Sequence, residues 1–158
     1  MKVLFVTSEW PSKDQPNHVP FLKDNILSFK SKGIKISIYK IKSESIVIRL
    51  ISIIQLRKQI RDKKYDIIHI HWGYNGLYCL GLNIPNVVTF HGSDLNKPFS
   101  WKTRSIITYM ISKISTVTSQ HNIFVSKGLV KQSLLKKKKM TIIPMGIDLD
   151  KFFPMDKK

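Results

Sequence analysis

The chain has 158 residues, enough for a single hydrophobic core, and this length is typical of one domain. Its 27 Lys and Arg residues against 10 Asp and Glu residues give a net charge of +17, which favours anionic partners such as phosphorylated substrates, membranes or nucleic acid. A single cysteine, Cys79, excludes an internal disulfide, and no apolar run is long enough for a signal peptide or a membrane span, so we expect a cytoplasmic protein.

The first half of the sequence alternates short apolar runs with segments of helical spacing. The run KVLFV predicts a buried strand, and a polar loop over residues 7–18 follows it. Apolar residues spaced by four and three after Pro20 predict a helix that stops at Gly33. The run IKISIYKI predicts a second strand, residues 49–63 a helix with an apolar inner face, and YDIIHIHW a third strand.

The second half continues this alternation. GLYCLGL predicts a short helix, PNVVTFH predicts a strand, and residues 101–112 predict a helix. STVTS predicts a further strand, and NIFVS leads into a helix over residues 127–136. MTIIPMG predicts the last strand. Strands that alternate with helix-length segments are typical of a parallel sheet with helices on both faces. We therefore predict an α/β fold.

Polar residues gather where four of the predicted strands end. In a parallel α/β sheet, ligands bind beyond the carboxyl ends of the strands, where the connecting loops meet. The segments in that position are residues 7–10, 71–73, 91–94 and 145–148. The sequence contains neither G-x-G-x-x-G after the first strand nor G-x-x-x-x-G-K-[ST] anywhere, which argues against a dehydrogenase and against a P-loop enzyme.

Four segments, in this order, resemble family 4 glycosyltransferases of the GT-B fold: HWGYNG, PNVVTFHGSDLN, FVSKGLVKQSL and MTIIPMGIDLDKFFP. The likeness covers nearly the whole chain and implies a Rossmann-like N-terminal half, the acceptor-binding domain, over residues 1–150. Residues 151–158 resemble the start of the hinge to a C-terminal nucleotide-sugar domain that is missing here. The family's donor-binding glycines and E-x7-E carboxylates would belong to that domain, so we expect the chain alone to be inactive.

The resemblance also implies the chemistry and the partners. It implies transfer of a sugar from a nucleotide sugar to a glycan or lipid-linked glycan acceptor, with retention of anomeric configuration and without a metal or another cofactor. The segments are most similar in kind to bacterial enzymes of capsule or teichuronic acid synthesis, so surface polysaccharide is the expected product. A lipid-linked acceptor would place the protein at the inner face of the cell membrane.

The segment HGSD carries the first candidates for catalysis. In the family that it resembles, the histidine of the HG step contacts the donor sugar, which assigns this role to His91, and Gly92 lets the backbone approach closely. A neutral imidazole could donate a hydrogen bond to a sugar hydroxyl while the phosphate departs. The alternative is that His91 bonds a neighbouring backbone group at the strand end. For Asp94 two roles stay open: orienting an acceptor hydroxyl or His91, or capping the segment that follows.

The first loop departs from the family pattern, because many relatives carry a glycine pair there and residues 7–18 contain no glycine. A phosphate-binding role for this loop is therefore not predicted. Contact with acceptor or other substrate is predicted instead for residues drawn from several strand ends, namely Ser8, Glu9, His18, Trp72, Gly92 and Gly146. A glycosidase needs two facing carboxylates, and Glu9 and Asp94 give no sign of such a pair.

Three histidines near the predicted strand ends raise the question of a metal site. We take His69 and His71, two residues apart on one strand, to point to opposite faces, which would keep them from binding one ion with His91. No metal site is therefore predicted, and His69 is assigned a structural role.

The basic charge leaves a competing hypothesis, a non-catalytic α/β module that binds an anionic membrane or nucleic acid. Nucleic acid is disfavoured, because the chain has 23 Lys but only 4 Arg and no recognisable recognition helix. A membrane is compatible with a transferase, since residues 46–61 carry a second apolar patch beside basic residues, namely Leu50, Ile51, Ile54, Arg57, Lys58 and Arg61. We favour the alternative that this patch packs under a neighbouring helix. The 23 Ile residues that accompany the Lys excess also fit a codon bias unrelated to binding.

Overall fold

The structure, a computed structural model, describes residues 1–42, 45–97, 103–134 and 139–146. Its elements in chain order are β1 (Lys2–Thr7), α1 (Pro20–Ser31), β2 (Lys35–Lys40), α2 (Ile46–Lys63), β3 (Ile67–His71), a 3-10 helix (Gly73–Cys79), β4 (Asn86–Phe90), α3 (Thr103–Thr118), β5 (His121–Phe124), α4 (Lys127–Gln132) and β6 (Met140–Ile142). The predicted domain boundary at residue 150, the hinge at 151–158, and parts of three predicted segments (101–102, 135–136 and 147–148) lie outside the described residues.

The six strands of the described chain form one parallel sheet in the order β2-β1-β3-β4-β5-β6. The chain runs from β1 outward to β2, returns past β1 to β3, and then adds β4, β5 and β6 on the other side. This reversal creates a switch point between the carboxyl ends of β1 and β3, where sheets of this type bind their ligands. The predicted α/β, Rossmann-like fold is confirmed.

Two core clusters lie on opposite faces of the sheet, because successive residues of a strand point to opposite sides. Leu4 and Val6 of β1 pack with residues of α2, the 3-10 helix and α4. Val3 and Phe5 of the same strand pack with residues of α1. Helices therefore cover both faces, as the alternating sequence pattern predicted.

Helix α1 forms where the sequence predicted it, because its start signal, apolar spacing and stop signal agree. Pro20 occupies the first turn, where its missing N–H costs no hydrogen bond. Leu22 and Ile26 are buried against the sheet. Gly33 has a φ of 75°, a conformation that glycine adopts without steric penalty, and its N–H donates to the carbonyl of Lys30.

The predicted strand STVTS is wrong, because its first four residues complete α3 and β5 begins only at His121. The reason is close packing of α3 on the 3-10 helix. A Cβ added at Gly73 would lie 2.9 Å from the Cβ of Ser112, and one added at Gly76 would lie 2.6 Å from the Cβ of Ser115. Small side chains that resemble an alternating strand thus bring two helices together. Several of the α3 hydroxyls donate to carbonyls one turn earlier.

Several other boundaries also differ from the prediction. The short helix predicted in GLYCLGL begins earlier, because the 3-10 helix spans Gly73–Cys79. Helix α4 ends at Gln132, and β6 covers only the first three residues of MTIIPMG.

Helix α2 has one buried and one exposed apolar face. Leu56 is fully buried, and Ile53 and Ile60 pack against the same core cluster, as predicted. The opposite face exposes four apolar side chains, with exposed fractions of 65% for Val47, 56% for Leu50, 47% for Ile51 and 68% for Ile54. Our preference that this patch packs under a neighbouring helix is therefore wrong within the described chain, because α2 has the sheet on one side only. No described helix is long and apolar enough to cross a membrane.

Candidate functional site

Three loops meet at the carboxyl edge of the sheet, after β1, β3 and β4. The hydroxyl of Thr7 donates to the carbonyl of Glu9 (2.8 Å) and accepts from its N–H (3.1 Å), which turns the chain tightly after β1. Trp72, with a φ of 67°, and Gly92, with a φ of 108°, turn the chain after β3 and β4. These turns hold residues 8–9, 72–75 and 91–94 at one edge.

Asp94 joins the loops that follow β3 and β4. Its Oδ2 accepts from the N–H of Gly73 (2.6 Å), and its Oδ1 accepts from the N–H groups of Gly92 (2.9 Å) and His91 (3.2 Å). Burial raises the pKa of Asp94, and hydrogen bonds from backbone N–H groups act in the opposite direction. Of the roles left open, the structure shows Asp94 positioning the backbone of His91; contact with an acceptor hydroxyl stays a prediction.

Gly92 is required by its conformation and not by lack of space. An added Cβ would lie 3.6 Å from Nδ2 of Asn96, an ordinary contact, but a φ of 108° is strained for any residue with a side chain. Because Asp94 holds the N–H of Gly92, the tight turn presents the His91 side chain in one direction.

His69 and His71 lie on the same face of β3, so the prediction that they point to opposite faces is wrong. Side chains alternate along a strand, and residues two apart therefore share a face. Their ring centroids are 4.4 Å apart, and both rings contact Phe5 on the α1 side of the sheet. Nε2 of His69 lies 2.7 Å from the hydroxyl of Thr89, which agrees with a structural role. In the part of the chain that the structure describes, no three His, Cys, Asp or Glu side chains are arranged to hold a metal ion.

His91 extends this row of imidazoles to the edge of the sheet. Its Nε2 lies 3.0 Å from Nδ1 of His71, and its ring contacts the rings of Trp72 and Phe21. The ring thus bonds another imidazole instead of a backbone group. Whichever ring carries the shared proton, Nδ1 of His91 and Nε2 of His71 are buried without a hydrogen-bond partner among the described residues.

The three imidazoles are held neutral at pH 7. Burial lowers the pKa of His91 to about 4. Burial, followed by the charge of a protonated His91, lowers the pKa of His69 to about 4. Burial, followed by the neighbouring His69 and His91, lowers the pKa of His71 well below its usual value. A neutral His91 can donate a hydrogen bond from one ring nitrogen while the other accepts.

A second network joins the first loop to the loop after β3. The hydroxyl of Tyr74 donates to Oε1 of Glu9 (3.1 Å), and Nε2 of His18 lies 3.3 Å from Oε2 of the same carboxylate. Nδ2 of Asn75 donates to the hydroxyl of Ser8 (3.1 Å) and to the carbonyl of His71 (2.8 Å). Burial raises the pKa of Tyr74, so its phenol remains a donor to Glu9.

A cavity of about 210 Å³ opens beside this network, between the 3-10 helix and the start of α2. Its lining includes Ser8, Glu9, Arg49, Tyr74, Asn75 and Tyr78. Ser8 and Glu9 thus face a cavity together, as expected for residues that contact a ligand.

The other predicted contact residues lie elsewhere. Trp72 is 3% exposed and packs in the core cluster on the α1 side, where it supports the ring of His91. Among the described residues, His18 contacts the site through Glu9. Gly146 is exposed and follows β6, two strands away from β4 in the sheet, so the structure does not bring it to the other residues.

Sequence reasoning missed Arg49, Tyr74 and Asn75. Tyr74 and Asn75 stand in HWGYNG, directly after a predicted strand, and that position was the available signal. Arg49 stands in an apolar helix with no sequence motif, and only the packing of α2 against the edge places it at the cavity.

Comparison with known proteins identifies the family. No curated protein sequence matches the chain. Among solved structures, the chain is similar to Glycyrrhiza uralensis UGT73P12 complexed with glycyrrhetinic acid 3-O-monoglucuronide, with 12% identity and a TM-score of 0.43 over 84% of this chain and 46% of that one. The chain therefore spans less than half the length of that structure. The sequence model described as Glycosyltransferase Family 4 matches residues 2–151, so the chain belongs to this family.

Proposed function

We propose that the chain is the acceptor-binding half of a retaining GT-B glycosyltransferase. The complete enzyme would transfer a sugar from a nucleotide sugar to a glycan or lipid-linked glycan in surface polysaccharide synthesis of the capsule or teichuronic acid type. Family membership over residues 2–151 supports sugar transfer, and the convergence of three loops at the switch point supports a ligand site in this half. A second domain would bind most of the donor.

The observation that carries the proposal is the position of His91. Asp94 holds its backbone, His71 and Trp72 hold its ring, and its Nδ1 is buried without a partner in the described chain. A buried polar atom without a partner costs roughly 1–3 kcal/mol, which a ligand hydroxyl or phosphate oxygen would recover. A neutral imidazole in this position would bond the donor sugar while the phosphate leaves, without adding a charge of its own.

The cavity at Ser8 and Glu9 would receive the acceptor. Glu9 accepts hydrogen bonds from sugar hydroxyls in this arrangement, and Tyr74 and His18 fix the carboxylate in one orientation. We assign deprotonation of the acceptor to the departing phosphate of the donor, as the family resemblance implies, because Glu9 already bonds two protein side chains.

The test is a sugar-transfer assay with radiolabelled nucleotide sugars and a bacterial lipid extract as acceptor. Transfer by the complete product of the reading frame, and none by the 158-residue chain, is expected. Transfer by the chain alone would contradict the assignment of half an enzyme. A reading frame that lacks a second α/β domain with E-x7-E, or a complete product without transfer, would contradict the proposal itself.

Exposed apolar and basic side chains support docking at the inner face of the membrane. The outer face of α2 exposes Leu50 and Ile54, and that of α3, on the same side of the sheet, exposes Ile107 and Met110. Basic residues near an anionic leaflet contribute about 1 kcal/mol each, and salt weakens this attraction.

A vesicle flotation assay tests this docking. Arg57, Lys58 and Arg61 are three exposed basic residues of α2. Replacing all three by Gln should release the protein from anionic vesicles and leave transfer to a short soluble acceptor unchanged. Equal loss of activity on both kinds of acceptor would show that these residues support the fold. Retained vesicle binding would place the membrane-binding face elsewhere.

A further inference from the structure

Arg49 is a half-buried cation whose side chain has no hydrogen bond or ion pair among the described residues. Every other Lys or Arg whose side chain the structure describes is exposed except Lys2 and Lys113. Lys2 donates to a backbone carbonyl and lies over a tyrosine ring, and Lys113 lies over the ring of Tyr109. A guanidinium has five N–H donors, so partial burial without an acceptor leaves Arg49 with unused binding capacity.

The cavity that Arg49 lines also contains hydrogen-bond acceptors. Arg49 and Glu9 both line it but form no ion pair with each other in the described chain, where the ion pairs join His18 to Glu9 and Arg61 to Asp62. One part of the wall is therefore cationic, and another part offers the carboxylate of Glu9 and the hydroxyl of Ser8.

The size of the cavity favours a small ligand such as a single ring. Its volume of about 210 Å³ lies below the roughly 300–1,000 Å³ that drug-sized ligands occupy. Tyr78 is buried in its wall and offers an aromatic surface, and Arg49 is close enough to offset part of the rise that burial causes in the pKa of this tyrosine.

We infer that this cavity binds a single sugar ring that carries an anionic group, with the carboxylate or phosphate on the guanidinium of Arg49 and the ring hydroxyls on Glu9, Ser8 and Asn75. The inference rests on the proposed function, in which this loop contacts the acceptor, and it specifies an acidic sugar unit as the acceptor class. The planar guanidinium can bond two oxygens of a carboxylate or phosphate at once, and a neutral sugar leaves those donors unused.

Calorimetric titration of the 158-residue chain tests this inference with four probes. Glucuronate and glucose 1-phosphate carry both a ring and an anion, glucose carries only the ring, and inorganic phosphate carries only the anion. We expect at least one of the two charged sugars to bind at least about 10-fold more tightly than both glucose and inorganic phosphate. The reason is that a charge-assisted hydrogen bond contributes about 1.5–3 kcal/mol. The acidic sugar that binds identifies the source of the anion.

Variants assign the binding to Arg49. Arg49→Gln should weaken binding of the charged sugars about 10- to 100-fold and leave binding of glucose unchanged, whereas Arg61→Gln, the same change on the exposed face of α2, should leave all affinities unchanged. Arg49→Lys keeps the charge without the planar fork and should give an intermediate loss, which serves as the test if the Gln variant does not fold.

Three results would overturn the inference: no binding of either acidic sugar, charged-sugar binding no tighter than that of glucose or inorganic phosphate, or charged-sugar binding that Arg49→Gln leaves intact. All three are measured without a donor or a second domain. If acidic sugars fail to bind but the complete product transfers sugar, only this inference is wrong. If they bind and the complete product transfers no sugar, only the proposed function is wrong.

Discussion

Acidification should destabilise the fold through the buried cluster of His69, His71 and His91. Burial lowers the pKa of His69 and His91 to about 4 and that of His71 well below 6.5, so the folded cluster is neutral at pH 7. In the unfolded chain each imidazole has a pKa near about 6.5. Between about pH 6.5 and about pH 4 the unfolded state therefore binds more protons, and the free energy of unfolding falls as the pH falls.

The size of the effect follows from the depth of burial. For His69, a pKa lowered from 6.5 to about 4 corresponds to roughly 3 kcal/mol once protonation is complete. Each imidazole contributes a slope of at most about 1.4 kcal/mol per pH unit in this window. Because the rings contact one another, their protonation is coupled and the separate values do not add. Against a total stability of about 5–15 kcal/mol, this penalty is large.

Urea unfolding, followed by tryptophan fluorescence in steps from about pH 7 to about pH 4.5, measures that slope. His69→Gln keeps a polar partner for Thr89. Because it removes one titrating imidazole, it should reduce the slope of the free energy of unfolding against pH by up to about 1.4 kcal/mol per pH unit, which corresponds to one proton. His121→Gln removes an imidazole that lies outside the cluster and bonds Thr141, and it serves as the matched control for the loss of one histidine. A stability independent of pH in this window, or an unchanged slope in His69→Gln, would refute the reasoning.

Three further substitutions test the fold and its surface. Asp94→Ala leaves three backbone N–H groups without their acceptor and should lower the free energy of unfolding by roughly 3 kcal/mol; a loss below about 1 kcal/mol in urea would show that water replaces the carboxylate. Gly76→Ala places a Cβ 2.6 Å from the Cβ of a buried serine in α3 and should lower the free energy of unfolding by about 1–3 kcal/mol. Gly128→Ala, whose added Cβ has its nearest contact at 3.8 Å, should cause no loss, and equal melting temperatures of the two variants would contradict this packing. Leu50→Ser on α2 should weaken vesicle flotation, while Leu27→Ser on α1, on the other sheet face, should not; equal flotation of the two variants would argue against a membrane-binding α2 face.

The alternation of strands and helices could be predicted because each element carries its own local signals. Helix α1 shows this best, since Pro20, its apolar spacing and Gly33 all indicate the same segment. STVTS failed because Ser and Thr are compatible with a strand, whereas the packing of Ser115 against Gly76 depends on a helix distant in sequence. Local patterns do not contain that contact.

The candidate site could be predicted as a location but not as an arrangement. The rule that loops meet at the carboxyl edge of a parallel sheet correctly brought Ser8, Glu9 and His91 to one edge. It could not show that Asp94 bonds the backbone of the neighbouring loop or that Arg49 reaches the cavity from α2. Both depend on the register of β3 against β4 and on how the helices pack.

The central claim is that the edge at His91 is the reaction site of a glycosyltransferase. It is tested most directly by comparing sugar turnover of the complete reading-frame product with that of its His91→Ala variant, below the melting temperature of both. Loss of one preorganised hydrogen-bond donor should lower turnover by roughly 10²-fold or more, with the variant still folded. Unchanged turnover together with a lower melting temperature would contradict the claim and make His91 a structural residue of the imidazole cluster.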